Sequence, residues 1–134
     1  MIALKENKLV DLSLQFAIRI VNLSKIINAP APLANQLLRC GTSIGANIHE
    51  ANYAHSRADF IAKLQIALKE CYESDYWLTL FLETEILSEP EVIQWRNLCG
   101  NIRRILIASL NTAKSAKADT STVSDPILTY SPFP

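Results

Sequence analysis

Apolar residues recur at helical spacing in four successive stretches of the chain, and this pattern leaves few folds open. In the first stretch they are separated by steps of 7, 4, 3 and 4, which places them on one face of a helix. These residues are Leu9, Phe16, Ile20, Leu23 and Ile27. We therefore predict a first helix from Leu9 to about Asn28. Pro30 and Pro32 end it, because proline lacks a backbone N–H and disfavours helical geometry in the residue before it.

A second helix is predicted from Leu33 to Ala54, and it contains two glycines four residues apart, Gly41 and Gly45. Each glycine costs a helix roughly 1 kcal/mol relative to alanine. We expect close approach of a neighbouring helix to compensate for this cost. Gly41, Gly45 and the intervening Ser43 are therefore predicted to be helix-packing residues.

Two further helix starts carry the S-x-x-[DE] spacing of a capping box, Ser56 with Asp59 and Ser88 with Glu91. The third helix is predicted over residues 57–87, and the fourth from about residue 90 to 117. Short connections between amphipathic helices favour an all-α fold, an antiparallel up-down-up-down four-helix bundle. We assign residues 1–117 to the bundle and residues 118–134, rich in Ser, Thr and Pro, to a flexible tail.

Composition places the chain among single-domain proteins without a membrane segment. It has 134 residues, a usual size for one domain. No apolar run approaches the 18 residues that a membrane span requires, and we expect no secretory leader, because charged residues interrupt the first apolar stretch. Its cysteines are odd in number and lie within the apolar patterns, so we predict reduced core residues and a cytoplasmic location. They are Cys40, Cys71 and Cys99.

The formal net charge of zero conceals an uneven distribution along the chain. Residues 58–95 hold 2 basic and 8 acidic side chains, a sum of −6. Residues 96–118 hold 5 basic side chains and none that is acidic, a sum of +5. This separation suggests either pairing between subunits or recognition of an anionic partner.

Residues 41–45 match the letters G-x-S-x-G of the serine hydrolase nucleophile elbow. That motif requires a strand before the serine and an Asp and then a His after it. Here the flanks are helical, and the only histidines, His49 and His55, follow within about three helical turns. The His49-Glu50 pair lacks the second histidine of a zinc motif, because position 53 is tyrosine. We predict no catalytic site, metal, cofactor or small-molecule substrate.

Asp75 interrupts the apolar stripe of the third helix. A buried carboxylate without partners is costly, so we consider a network with Thr42, Ser43 or Arg39 on the second helix. Such a network would fix the register between the two helices. The alternative is a slight roll of the helix that lets Asp75 reach water, and the sequence leaves both possibilities open.

Cations on the fourth helix form a row beside its apolar face. Arg96, Arg103 and Lys114 fall within about 20° of one another on a helical wheel, and Lys117 lies to one side. Such a row resembles a surface that binds a phosphate backbone, and with Arg104 these residues are our candidate nucleic-acid contacts. An acidic strip on the third helix suggests a second possibility, an oligomer contact in which the strip pairs with the cations of another copy. Such a contact repeats head to tail and closes into a ring. The strip contains Asp59, Glu70 and Glu73.

Helices two and three also resemble a known family. The segments are QLLRCGTSIGANIHEA at residues 36–51, DFIAK at 59–63, IALKE at 66–70 and ESDYWL at 73–78. They are similar to the four-helix-bundle proteins encoded in intervening sequences of bacterial 23S ribosomal RNA genes. The resemblance covers about residues 5–115 and leaves the tail outside.

The resemblance implies a homo-oligomer, commonly a pentameric ring, without known enzymatic activity. A related branch, the accessory variability protein of diversity-generating retroelements, is a basic pentamer that binds nucleic acid and a reverse transcriptase. The zero net charge of this chain departs from that branch. Our leading hypothesis is a ring-forming adaptor whose fourth-helix cations contact RNA, DNA or a nucleic-acid-bound partner such as a reverse transcriptase. The alternative is a structural homo-oligomer, or a protein-interaction module, whose cations pair with the acidic strip of the next subunit.

Overall fold

The computed structural model describes residues 7–118, and this part of the chain forms four α-helices. They are α1 (Lys8–Ile26), α2 (Ala31–Ala51), α3 (Arg57–Glu83) and α4 (Glu89–Ala118). The number, order and approximate limits of the predicted helices are confirmed. The predicted tail lies, from residue 119 onward, outside the described residues.

Each helix packs against the next one along the chain, and α1 also packs against α4. Contacts between successive helices pair rising residue numbers on one helix with falling numbers on the other. Between α1 and α2, Ile20 lies near Gly41 and Ser13 near Gly45. Between α2 and α3, Cys40 contacts Ser74 and Glu50 contacts Lys63. Between α3 and α4, Asp75 contacts Arg96 and Cys71 contacts Cys99. Successive helices are therefore antiparallel, as the up-down-up-down bundle requires.

Side-chain caps start α3 and α4 where the sequence places them. The Asp59 N–H donates to the Ser56 hydroxyl over 3.0 Å, and the His55 N–H donates to the Asp59 carboxylate over 3.2 Å. Before α4, the N–H of Ser88 donates to the Glu91 carboxylate over 2.8 Å. In each case a side chain accepts a hydrogen bond from a backbone N–H at the start of the helix that has no intrahelical acceptor.

The end of α3 comes at Glu83, four residues before the predicted limit. Glu85 adopts a left-handed conformation with φ 63°, and the Ile86 N–H donates back to the Phe81 carbonyl over 2.8 Å. This is a Schellman motif, which reverses the chain and satisfies carbonyls at the helix end. Leu87, which follows the motif, is buried. The apolar pattern of the sequence therefore continues past the end of α3, and this explains why the predicted helix is longer than the observed one.

All four helices contribute side chains to one core. Its largest fully buried members are Phe16, Phe81, Leu9, Ile20, Ile44, Ile48, Leu64, Leu78, Ile102, Leu106 and Val92. Leu9, Phe16 and Ile20 belong to the apolar stripe from which the first helix was predicted. None of the helices within residues 7–118 is long and apolar enough to cross a membrane.

The three cysteines lie in this core as free thiols, as predicted. Burial raises the pKa of Cys40 to about 11. For Cys71, hydrogen bonding to Cys99 and burial both raise the pKa of the thiol. The thiolate is the reactive form of cysteine, so Cys40 and Cys71 are poor nucleophiles while the bundle is closed.

The close contact between α1 and α2 occurs at the two glycines. A Cβ atom added to Gly41 would lie 3.0 Å from both Cγ atoms of Ile20. At Gly45 the added atom would lie 3.4 Å from the backbone oxygen of Ser13. Ser43 is half-buried, and its hydroxyl accepts a hydrogen bond from Asn47 of the same helix over 3.0 Å.

Gly41→Ala should destabilise the protein. Ile20 is almost fully buried, and β-branched side chains in helices have one strongly preferred rotamer, so it has little freedom to yield. Overpacking of about 1–3 kcal/mol should then exceed the helix-propensity gain of about 1 kcal/mol. We expect a loss of several degrees in Tm, measured by thermal unfolding followed by circular dichroism.

Gly100→Ala is the matched control, because it replaces a helical glycine without a clash. Its added Cβ would meet only the guanidinium ends of Arg103 and Arg104, at 3.6 Å. These flexible groups can move away, so Tm should rise or stay the same. Equal responses of the two variants would contradict the close α1–α2 contact.

Candidate functional site

The G-x-S-x-G stretch lies within α2, and between residue 7 and Ser43 the structure has no strand. The strained strand-to-helix turn that exposes a hydrolase nucleophile is therefore missing at Ser43. Both glycines face α1. The residue pattern is explained by helix packing. Within residues 7–118, no group of three His, Cys, Asp or Glu side chains is arranged to hold a metal ion.

Asp75 pairs with a cation of α4 instead of the predicted partners on α2. The Nε of Arg96 donates to the Asp75 carboxylate over 3.0 Å, and its terminal nitrogen donates to the Thr79 hydroxyl. The side chains of Asp75 and Arg96 are 40% and 37% exposed. The proposed network with Arg39, Thr42 and Ser43 is thus wrong, and the alternative in which Asp75 reaches water is closer to the structure.

Arg39 instead forms ion pairs with two carboxylates of the acidic strip on α3. Its terminal nitrogens lie 3.3 Å from Glu70 Oε2 and 2.5 Å from Glu73 Oε2. The indole N–H of Trp77 also donates to Glu73, over 3.0 Å. The hydrogen bonds from Arg39 and then Trp77 hold the pKa of Glu73 below its usual 4.5.

The acidic strip is therefore engaged within the chain. Glu70 and Glu73 join α3 to α2 through Arg39, and Asp59 caps the start of α3. Pairing of this strip with the cations of another copy stays a prediction. The compensation of Glu70 and Glu73 by Arg39 lowers the net charge that such a contact has available.

The candidate cations of α4 differ in their surroundings. Arg96 is held by Asp75, whereas Arg104 donates to Asn101 of its own helix. The guanidinium carbon of Arg103 lies 5.5 Å from the ring centroid of Tyr72 on α3, in a cation–π contact. Lys114 is exposed, and the side chain of Lys117 lies outside the described part of the structure.

Most of this cationic row lacks a carboxylate partner. Among the α4 cations Arg96, Arg103 and Lys114, Arg96 forms an ion pair with a carboxylate of residues 7–118, whereas the other two do not. Arg103 and Lys114 are thus cations that no carboxylate within residues 7–118 neutralises by direct contact. The row lies at the edge of α4 that faces α3, because Arg96 and Arg103 both contact α3 side chains.

Two exposed tyrosines beside the cationic row were not predicted as functional residues. Tyr72 and Tyr76 are 53% and 59% exposed, and their spacing of four residues places them on one side of α3. The same spacing is visible in the sequence, at one flank of the apolar stripe. Charge and metal-ligand patterns do not reveal such a pair, because tyrosine side chains are uncharged at neutral pH.

Fold and surface define an antiparallel four-helix bundle with an aromatic and cationic face between α3 and α4. The chain belongs to the family of 23S rRNA-intervening sequence proteins, whose model matches residues 5–108. The family resemblance seen in the sequence is thereby confirmed. No curated protein matches the chain.

A solved structure of a related protein supports both the fold and the family. It is the crystal structure of a protein of unknown function from the S23 ribosomal protein family of Bacteroides thetaiotaomicron. The two chains are 47% identical and superpose with a TM-score of 0.72. The match covers 76% of this chain and 97% of the other.

The Arg39–Glu73 pair predicts a specific pH dependence. Because the folded-state pKa of Glu73 is lowered, its contribution to stability is present above the unfolded pKa of about 4.5 and is lost as pH falls through the lowered value. Both side chains reach water, so the contribution is about 1 kcal/mol or less. The Tm difference between wild type and Arg39→Gln should be largest near neutral pH and shrink on acidification.

Arg19→Gln serves as the control, since Arg19 is an exposed α1 cation outside the ion pairs of residues 7–118. Its Tm difference from wild type should vary little over the same pH range. A constant difference for Arg39→Gln would show that the ion pair does not contribute to stability in solution.

Proposed function

We propose that the protein is a non-enzymatic homo-oligomeric adaptor that binds nucleic acid through the cations of α4. The observation that carries this proposal is the row of Arg96, Arg103 and Lys114, in which only Arg96 is paired with a carboxylate within residues 7–118. Counterion release from a nucleic acid gives such a row its binding free energy. The contact surface would include Arg104 and Lys117, which lie on the same helix.

The relatives point towards ribosomal nucleic acid by their names alone. The family is described by its 23S rRNA intervening sequences, and the B. thetaiotaomicron relative is assigned to an S23 ribosomal protein family. The α4 segment carries 5 basic and no acidic side chains over residues 96–118, although the net charge of the chain is zero. We infer that the favourable contact is restricted to this face, and that the rest of the surface contributes little attraction. A reverse transcriptase bound to nucleic acid is one partner that such an adaptor would serve.

The test is binding of short RNA and DNA, single-stranded and duplex, across a range of salt concentrations. Wild type should bind with a steep loss of affinity as salt rises. In the double variant Arg103→Gln and Lys114→Gln, two phosphate contacts are removed. The slope of log affinity against log salt should then become shallower by about 1 to 2. Fluorescence anisotropy measures both quantities.

The matched control removes the same amount of charge from another face. Lys8→Gln and Lys25→Gln change two exposed cations of α1, and this variant should keep the wild-type slope. Equal flattening in both variants would show a general charge effect without a site. Absence of salt-dependent binding by wild type would refute the proposal.

A second candidate function is assembly alone, and an apolar stripe on the outer side of α1 favours it. The residues Val10, Leu14, Ala17 and Val21 follow steps of 4, 3 and 4, the spacing of a helix–helix seam. Leu14, with its neighbour Ile18, is more than half exposed, at 58% and 51%. In this proposal the stripe is covered by another copy, in the pentameric ring that the resemblance implies, and the protein needs no nucleic acid.

Polar substitution of this stripe should separate the copies. Wild type should sediment as an oligomer, and the double variant Leu14→Ser and Ile18→Ser should sediment as a monomer, because the apolar area that drives association is lost. Ile93→Ser and Ile107→Ser change two exposed isoleucines of α4 as a control and should leave the oligomer intact. A monomeric wild type, or an unchanged oligomer in the first variant, would contradict this assignment of the interface.

A further inference from the structure

Tyr72 and Tyr76 present two aromatic rings to solvent on the outer side of α3. More than half of each side chain is exposed. They stand one helical turn apart, a rise of about 6 Å. The rings carry large apolar area that water solvates poorly, and aromatic residues in such positions commonly mark binding surfaces.

Both rings are braced by neighbouring side chains. The Arg103 guanidinium lies against Tyr72, at 5.5 Å from its centroid. Tyr76 packs edge-on against Trp77, with ring centroids 5.1 Å apart and an interplanar angle of 78°. Trp77 is in turn held by its hydrogen bond to Glu73. The entropy lost on ordering these rings is therefore partly lost before any ligand binds.

Two cations outside the ion pairs of residues 7–118 lie near Tyr72. Lys69 is exposed one turn before Tyr72, and Arg103 contacts Tyr72 from α4. The nearby carboxylates are already engaged, because Asp75 accepts from Arg96 while Glu70 and Glu73 share Arg39. The positive charge that remains on this face is complementary to a polyanion.

We propose that this face binds single-stranded nucleic acid, with bases stacked on Tyr72 and Tyr76 and the backbone phosphates against Lys69 and Arg103. The inference rests on the proposed function, since the phosphates continue onto the cationic row of α4. It adds a preference for single-stranded over duplex nucleic acid, which the cationic row of α4 alone does not provide. Bases in a duplex are stacked on one another, whereas those of a single strand are free to stack on aromatic side chains.

The chemistry of the face favours a nucleic acid over a protein partner. A protein interface needs no excess of cations, whereas exposed tyrosines next to arginine and lysine are the usual composition of a sequence-tolerant stacking surface. Arginine also stacks on bases through its planar guanidinium. The proposal therefore predicts a preference for single strands with little dependence on base identity.

The experiment compares two double variants of the full chain. Tyr72→Leu with Tyr76→Leu removes the rings but keeps good helix formers at both positions. Tyr72→Phe with Tyr76→Phe keeps the rings and removes only the hydroxyl groups. The probes are an oligouridine strand and an RNA duplex of the same length, titrated at several salt concentrations, with the assembly state of each variant checked by sedimentation.

Loss of stacking should weaken oligouridine binding by the leucine variant about tenfold or more. Its salt slope should stay near that of wild type, because the phosphate contacts remain. Duplex affinity should be unchanged. The phenylalanine variant should bind oligouridine as wild type does.

Three outcomes overturn the inference, and they can be told apart from failure of the proposed function. If the leucine variant binds oligouridine as tightly as wild type does, stacking is refuted while salt-dependent binding by α4 stands. If the leucine variant changes its assembly state, the rings are part of a protein interface. If wild type binds neither probe at any salt concentration, the proposed function fails and this inference fails with it.

Discussion

The contact of Gly41 with Ile20 is the constraint on which the rest of the bundle depends. It sets the distance and register between α1 and α2, because a side chain at position 41 would meet both branches of a nearly buried isoleucine. The neighbouring residues Arg39 and Cys40 then face α3, where they contact Glu73 and Ser74. A change in the α1–α2 separation would move every one of these contacts, since interiors are packed with little free volume.

The helices and their order could be predicted from the sequence because apolar spacing, prolines and capping residues all act over a few residues. The glycine contact was predictable for the same reason, since two helical glycines need compensation. The partner of Asp75 could not be predicted in this way. Whether the Asp75 carboxylate faces α2, where Arg39 lies, or α4, where Arg96 lies, depends on the rotation of α3 about its own axis. The apolar stripe of α3 is too wide to determine this rotation from the sequence.

Ion pairs on the two sides of α3 explain how a chain with no net charge keeps a cationic surface. Arg39 compensates carboxylates on the α2 side, and Arg96 compensates Asp75 on the α4 side. These pairs use acidic residues that would otherwise neutralise α4. Arg103 and Lys69 are left near two exposed tyrosines, and Lys114 lies further along α4, all three outside the ion pairs of residues 7–118. The net charge of the whole sequence conceals this arrangement, whereas the ion pairs of the folded chain reveal it.

The buried thiols give the bundle three internal reporters of its own opening. Cys40 on α2, Cys71 on α3 and Cys99 on α4 lie in the core, and raised pKa values leave very little thiolate at Cys40 and Cys71 at neutral pH. An alkylating reagent can modify them only when helices separate, so the labelling rate measures how often that part of the core is exposed. Comparison of the three rates, resolved by mass spectrometry of peptides, would distinguish local fraying of one helix from cooperative unfolding of the whole domain.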